Sequence, residues 1–298
     1  MGFNNHTLRM NPRVSIGGDT LRVRVSNAHG AGTLAIGAAY VGIRDKGPAI
    51  VPGSQRKLTF GGAGSATVAA GALIISDSVT LDVEPLADLA VTLYLPGEIP
   101  TGFQITGRYA RQTNYISPPG NFAAEIDMPV GKITDEWFFV SGIDVLASSE
   151  TGGVVAFGDS LTDANISTHD AHARWPDQLA RRLIARQGGR RLGVMNQGLG
   201  GNRILHDLRG ESGLRRFDRD VLAQPGVTHA IVMLGTGMPT LRPVLDAADW
   251  NGPPVTSSMI SLAWRTVLQM DGIEPSAQNM RAWSRGEGWG GRMPAHDY

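Results

Sequence analysis

A β-sandwich or jelly-roll domain followed by a three-layer α/β/α domain is the fold class that the sequence predicts. Two observations carry it. Before about residue 145, short strand-like runs alternate with Gly- and Pro-containing turns, and no amphipathic helix is found. From residue 153 onward, continuous apolar runs alternate with helical spacings, as in a parallel sheet covered by helices. The 298 residues are enough for two modest domains. The expected boundaries are 1–146 and 153–298.

Within the first part, Leu21-Arg22-Val23-Arg24-Val25 alternates apolar and charged residues, the period of a half-buried strand. Ala90 to Leu95 is rich in strand formers and is expected to stop at Pro96-Gly97. Similar short runs lie at Ala72 to Ile75 and Trp137 to Val140. Gly17-Gly18-Asp19, Pro52-Gly53-Ser54, Gly61-Gly62 and Pro118-Pro119-Gly120 read as turns. The small residues from Ala147 to Gly153 suit a linker.

In the second part, Val154-Val155-Ala156-Phe157 predicts a strand buried on both faces. Trp175 to Gln187 has helical spacing, with Trp175, Leu179, Leu183 and Ile184 on one side. Leu192 to Met195 is the next strand. Leu214 to Leu222 is a second helix, closed by Pro225-Gly226. Ala230 to Leu234 is a third buried strand. From about Gly237 this order fades. The tail carries four of the six tryptophans, a helix candidate over Ser258 to Met270, and a Gly- and Arg-rich end.

Composition excludes several classes. Lys plus Arg and Asp plus Glu are 27 each. That balance argues against a broad basic nucleic-acid face or a polybasic membrane contact. There are no cysteines, so disulfides and thiolate metal sites are excluded. Met1 to Arg13 is polar, without an apolar segment of signal-peptide type, and no run is long enough to span a bilayer. The expectation is a soluble chain without an export signal.

The residues suited to chemistry sit at strand ends. Gly158-Asp159-Ser160-Leu161-Thr162-Asp163 directly follows the first buried strand, and ligands bind at the carboxyl ends of strands in an open parallel sheet. Alone, the Asp-Ser pair reads equally as a turn or a helix cap. The second strand ends in Asn196-Gln197-Gly198-Leu199-Gly200-Gly201-Asn202-Arg203, and the third in Gly235-Thr236. The glycines after the second strand do not complete a dinucleotide fingerprint. His169 and His172 lie in a polar loop without an acidic partner that would complete a zinc motif, and read as surface residues.

This ordered set of blocks resembles the GDSL (SGNH) hydrolases. The resemblance extends through Arg174-Trp175-Pro176-Asp177 and Arg216-Phe217-Asp218-Arg219-Asp220. Arg22 to Asn27 and Leu58 to Gly62 look like the β domain that precedes the catalytic domain in one bacterial branch of that family. The resemblance covers roughly residues 7 to 236. It implies a flavodoxin-like α/β/α hydrolase domain, incomplete at its C-terminus. It further implies ester hydrolysis through an acyl-Ser160 intermediate. Ser160 would attack the carbonyl, and a hydroxyl needs an adjacent base to do so. The oxyanion would be held by the backbone N–H groups of Ser160 and Gly201. Asp159 would orient the loop. No metal or organic cofactor is implied. The substrate would be a small-molecule or polysaccharide-linked ester.

Two blocks depart from the family. Its third block is Gly-x-Asn-Asp, but here Gly235-Thr236-Gly237-Met238 puts glycine at the asparagine position. Losing one oxyanion donor costs about 2.7–4 kcal/mol of transition-state stabilisation. The last block, Asp-x-x-His, is matched only by Asp271-Gly272-Ile273-Glu274, with glutamate at the histidine position. His296, followed by Asp297, is the remaining candidate base, beside Asp271 as candidate acid. A frame shift near Met238, a truncation or true divergence would each account for the tail. The competing expectation is an impaired or inactive esterase-fold protein with a binding role.

Overall fold

The computed structural model describes residues 2–99, 105–164, 166–186 and 191–233. Toward the C-terminus it describes positions 273, 274, 276, 278, 279 and 282. The third block from Gly235 to Met238, the helix expected over Ser258 to Met270, Asp271 and His296 lie outside the described residues.

The first half is all β. Its strands are β1 (Phe3–Met10), β2 (Gly18–Ser26), β3 (Leu34–Ile36), β4 (Ala38–Ile43), β5 (Arg56–Lys57), β6 (Ala66–Val68) and β7 (Leu73–Ile75). They continue with β8 (Val79–Val83), β9 (Leu89–Ile99), β10 (Ile105–Arg108), β11 (Asn114–Pro119), β12 (Lys132–Thr134), β13 (Glu136–Phe138) and β14 (Val140–Val145). An antiparallel sheet has the order β12-β11-β1-β9-β4-β5. A second has the order β14-β2-β7, with β8 also paired to β2, and β10-β13 and β3-β6 form two ribbons.

The alternation in β2 does what its period requires. Leu21, Val23 and Val25 enter the core, while Arg24 points out to Asp144 at 2.8 Å. One apolar core joins residues of both larger sheets, with Phe3 and Phe138 edge to face at 4.9 Å between ring centroids. Arg9 is buried within this part, and its guanidinium donates to the carbonyls of Pro48, Glu125 and Ile126. The strand expected to end before Pro96-Gly97 runs on to Ile99. The register against β1 shifts between Asn4 and His6, opposite this dipeptide, and Asn5 has φ +54°. A bulge tolerates a proline that cannot donate to the ladder.

The second half opens with β15 (Gly152–Gly158), so the last two residues of the expected linker already belong to a strand. It continues with α1 (Ser160–Asp163), α2 (Trp175–Ala185), β16 (Leu192–Gly198), α3 (Gly213–Phe217), a π-helical turn (Asp218–Leu222) and β17 (Val227–Met233). The three strands form a parallel sheet of order β16-β15-β17. β15 is central and buried at every position, so both of its faces are covered.

Three sequence expectations need correction here. On α2 the buried positions are Pro176 and Ala180, and Ile184 is exposed, because the helix packs on β16 through a narrow stripe of small residues. Leu214 to Leu222 is not one α-helix. After Phe217 the chain widens into the π turn, closed by Ala223 N–H donating to the Asp218 carbonyl. β17 is largely exposed rather than buried, and Val232 is 57% accessible. Among the described residues no helix is long and apolar enough to cross a membrane.

Candidate active site

Ser160 begins α1, two residues beyond the end of the central strand, and is half-buried. The residues around it explain the six-residue motif one by one. A Cβ at Gly158 would stand 2.1 Å from the Thr162 hydroxyl and 2.5 Å from the Met233 carbonyl, so only glycine lets the helix fold back onto the strand end. Asp159 caps the helix, its carboxylate accepting from the Leu161 N–H at 3.0 Å. Its own N–H donates to the Met233 carbonyl, which ties the motif to the end of β17. Thr162 is fully buried, and its hydroxyl accepts from Trp175 Nε1 at 3.4 Å. The turn-or-cap reading of Asp159 and a role for Ser160 are thus compatible: the cap is what presents the serine.

The second block lies against this helix. Leu199 N–H donates to the Gly158 carbonyl at 3.0 Å, and Asn196 Nδ2 donates to the Thr162 carbonyl at 3.1 Å. A Cβ at Gly198 would be 2.1 Å from the Asp163 nitrogen. Leu199 to Asn202 form a β-turn closed by Asn202 N–H to the Leu199 carbonyl at 3.0 Å. Gly201 occupies its third position at φ +76°, where a side chain is strained and where a Cβ would also meet Arg209. Gly201 is exposed, and the turn therefore presents its backbone outward.

Two arginines brace the site, although in the sequence their segments carry only the family resemblance and no assigned role. Arg216 is buried, its pKa lowered by burial, and it donates to the carbonyls of Gly158 (2.8 Å) and Gln197 (2.9 Å) and to Asn202 Oδ1 (3.0 Å). Asp220, one helical turn away, receives it at 3.0 Å. Arg174 donates through Nε to the Asp163 carbonyl at 2.6 Å and through Nη2 to the Tyr109 carbonyl of the β-rich part at 2.9 Å. The signal that could have found Arg216 is an arginine placed among buried positions, with a carboxylate four residues on.

Of the two histidines in the loop between α1 and α2, His169 is exposed as expected, whereas His172 is not a surface group. His172, whose side chain is only 9% accessible, sets Nε2 3.0 Å from Asp88 in the β-rich part. Arg13 grips the same carboxylate through two nitrogens. Burial works to raise Asp88, but the bonds from His172 and Arg13 outweigh it and hold the group at about 2. His169 lies 3.7 Å from Asp135 and 3.3 Å from Asp170, and Asp170 accepts from Thr113. The loop is therefore clamped to the β-rich part. Glu274 is exposed, and its carbonyl accepts from Asn279.

A cleft of about 110 Å³ lies between the β-rich part and α2, lined by residues including Arg13, Ser15, Pro176, Arg181 and Asn196. Ser160 is not among its walls. Among the described residues no cluster of histidines and carboxylates is arranged to hold a metal.

Residues 154–237 match the model of the GDSL-like Lipase/Acylhydrolase family. This segment, which holds most of β15, α1, the Leu199–Asn202 turn and Arg216, is similar to that family of hydrolases. The parallel sheet of the segment fits the α/β fold that the family implies. A comparison with curated proteins found no match.

Proposed function

We propose that the protein is a carboxylic ester hydrolase that works through an acyl-Ser160 intermediate. One observation carries this reading: Ser160 stands half-buried at the carboxyl end of the central parallel strand, on a helix whose Asp163 accepts from the glycine turn that follows the neighbouring strand. In the proposed reaction the Ser160 oxygen attacks the ester carbonyl, and the backbone N–H groups of Ser160 and Gly201 receive the negative charge. The alcohol leaves, and water then releases the acid from the serine. Asp159 serves as the cap that holds Ser160 in place. His296 and Asp271 are retained as candidate base and acid. The fold that goes with this reading is a β-sandwich-like domain over residues 1–146 and a three-layer hydrolase domain from residue 153. The substrate class is a small-molecule ester or an ester carried on a polysaccharide.

A second reading is favoured by glycine at position 237, where the family has its oxyanion asparagine, and by glutamate at 274 in place of histidine. On this reading the protein has the esterase fold with impaired or absent catalysis, and a binding role. The test is hydrolysis of a short-chain aryl ester by the full chain and by Ser160→Ala. A clear loss of rate in the variant supports the hydrolase. Equal rates remove it and leave the binding reading.

A further inference from the structure

Asp163 is the one ionisable residue of the motif that the proposed reaction leaves without a task. It closes α1 three residues after Ser160, and its main chain is fixed on both sides. Its N–H donates to the Asp159 carbonyl at 2.9 Å, and its own carbonyl accepts from Arg174. The carboxylate reaches the other way, to the turn after β16, where Oδ2 accepts from the Gly200 N–H at 3.2 Å. Gly200 directly precedes Gly201. The contact therefore joins the segment that carries the nucleophile to the segment that carries the amide assigned to the oxyanion. The missing Cβ at Gly198 lets the two backbones come this close.

We propose that Asp163 is a positioning residue whose carboxylate holds the Gly200–Gly201 turn against α1 and so sets where the Gly201 amide meets an ester attacked at Ser160. This rests on the reading of Ser160 as nucleophile. A carboxylate accepts a hydrogen bond roughly twice as strongly as a neutral oxygen, so the hold depends on the charge of Asp163. Burial raises this group to about 6, against the lowering effect of Arg174 and the Gly200 N–H. Asp135, between β12 and β13, pushes the same way as burial. His169 lies 3.7 Å from Asp135.

The test uses the full chain labelled with ¹³C at leucine carbonyls and ¹⁵N at glycine, which restricts the correlation spectrum to Gly193, Gly200 and Gly235, the glycines that follow leucine. Gly200→Ala assigns the peak. In the wild type the Gly200 amide is expected to shift with a midpoint near 6, and in Asp163→Asn the shift disappears. On an aryl ester, Asp163→Ala lowers kcat by about tenfold, the value of one hydrogen bond to a charged group, with KM little changed. Asp163→Asn, which keeps a neutral acceptor but not the charge, restores only part of that rate. A Gly200 amide that titrates equally in Asp163→Asn overturns the proposal. So does Asp163→Ala with wild-type kcat while Ser160→Ala is inactive. If Ser160→Ala hydrolyses as fast as the wild type, the hydrolase reading falls, and the Gly200 titration alone decides whether Asp163 holds the turn.

Discussion

The guanidinium of Arg216 lies over the ring of Phe157, with its carbon 4.0 Å from the ring centroid. Phe157 is the penultimate residue of the central strand, and Phe217 meets its ring edge to face at 5.5 Å. The stack places Arg216 where its nitrogens reach the ends of β15 and β16 at once. A flat, five-donor group is suited to that task, and a single ammonium is not. The rim of the sheet is thus held by a buried side chain.

Replacing Arg216 with methionine is expected to take a donor from the Gln197 carbonyl and from Asn202 Oδ1, and one of two donors from the Gly158 carbonyl and from Asp220, which keep the Leu199 N–H and Arg219. The loss should be about 1–3 kcal/mol, the cost of buried acceptors left short of a donor, because Asp220 keeps Arg219 as its partner. Arg216→Lys should recover only part of it. Urea unfolding midpoints at neutral pH measure both variants.

Gly158→Ala forces a methyl group into the Thr162 hydroxyl and the Met233 carbonyl. The carbonyl is backbone, so α1 must move. The expected result is a stable but displaced Ser160 and a fall of about a hundredfold in kcat/KM, as follows from misplacing a reacting group by about 1 Å. Esterase kinetics beside a circular dichroism melt separate the two effects.

Asp163 should make stability depend on pH in a definite sense. Its folded value, about 6, is above the usual 3.8, so its contribution is fully present below 3.8 and is lost as pH rises through 6. Asp163→Asn lacks that loss. Relative to the wild type, the variant should gain about 1–3 kcal/mol between acid and neutral pH, allowing for screening. A flat difference in melting temperature across that range contradicts the expectation.

Asp88 should act in the opposite sense. Burial notwithstanding, His172 and Arg13 hold it at about 2, below the usual 3.8. Its contribution is present above 3.8 and is lost as pH falls through 2. Asp88→Asn should cost about 1–2 kcal/mol at pH 7 after discounting for solvent and little at pH 2. Acid unfolding followed by tryptophan fluorescence measures it. Because the clamp joins the α1–α2 loop to the β-rich part, proteolysis in that loop should also quicken.

Much of the local structure was legible in the sequence because it is periodic or chemically punctuated. The alternation over Leu21 to Val25 has one strand solution, and the continuous run Val154 to Phe157 has to be covered on both faces. Other features were not legible, because partners far apart in the chain decide them. Pro96 stays in a strand since β9 itself bulges there, Pro96 and Gly97 standing against the single Asn5 of β1. His172 is withdrawn from solvent since Asp88, 84 positions earlier, receives it. Asp163 resembles any acidic helix end until Gly200 is placed on its carboxylate.

The sequence by itself determined the local pieces: a serine after a strand, a glycine turn after the next, and the order of elements between them. Short-range sterics and hydrogen-bonding chemistry suffice for that, since they act over a few residues. Only the tertiary structure decided which buried arginines and carboxylates hold those pieces in register. Those bonds join strand ends and loops that the chain brings together only when the sheet forms, and a buried charge takes its partner from whatever the fold places beside it.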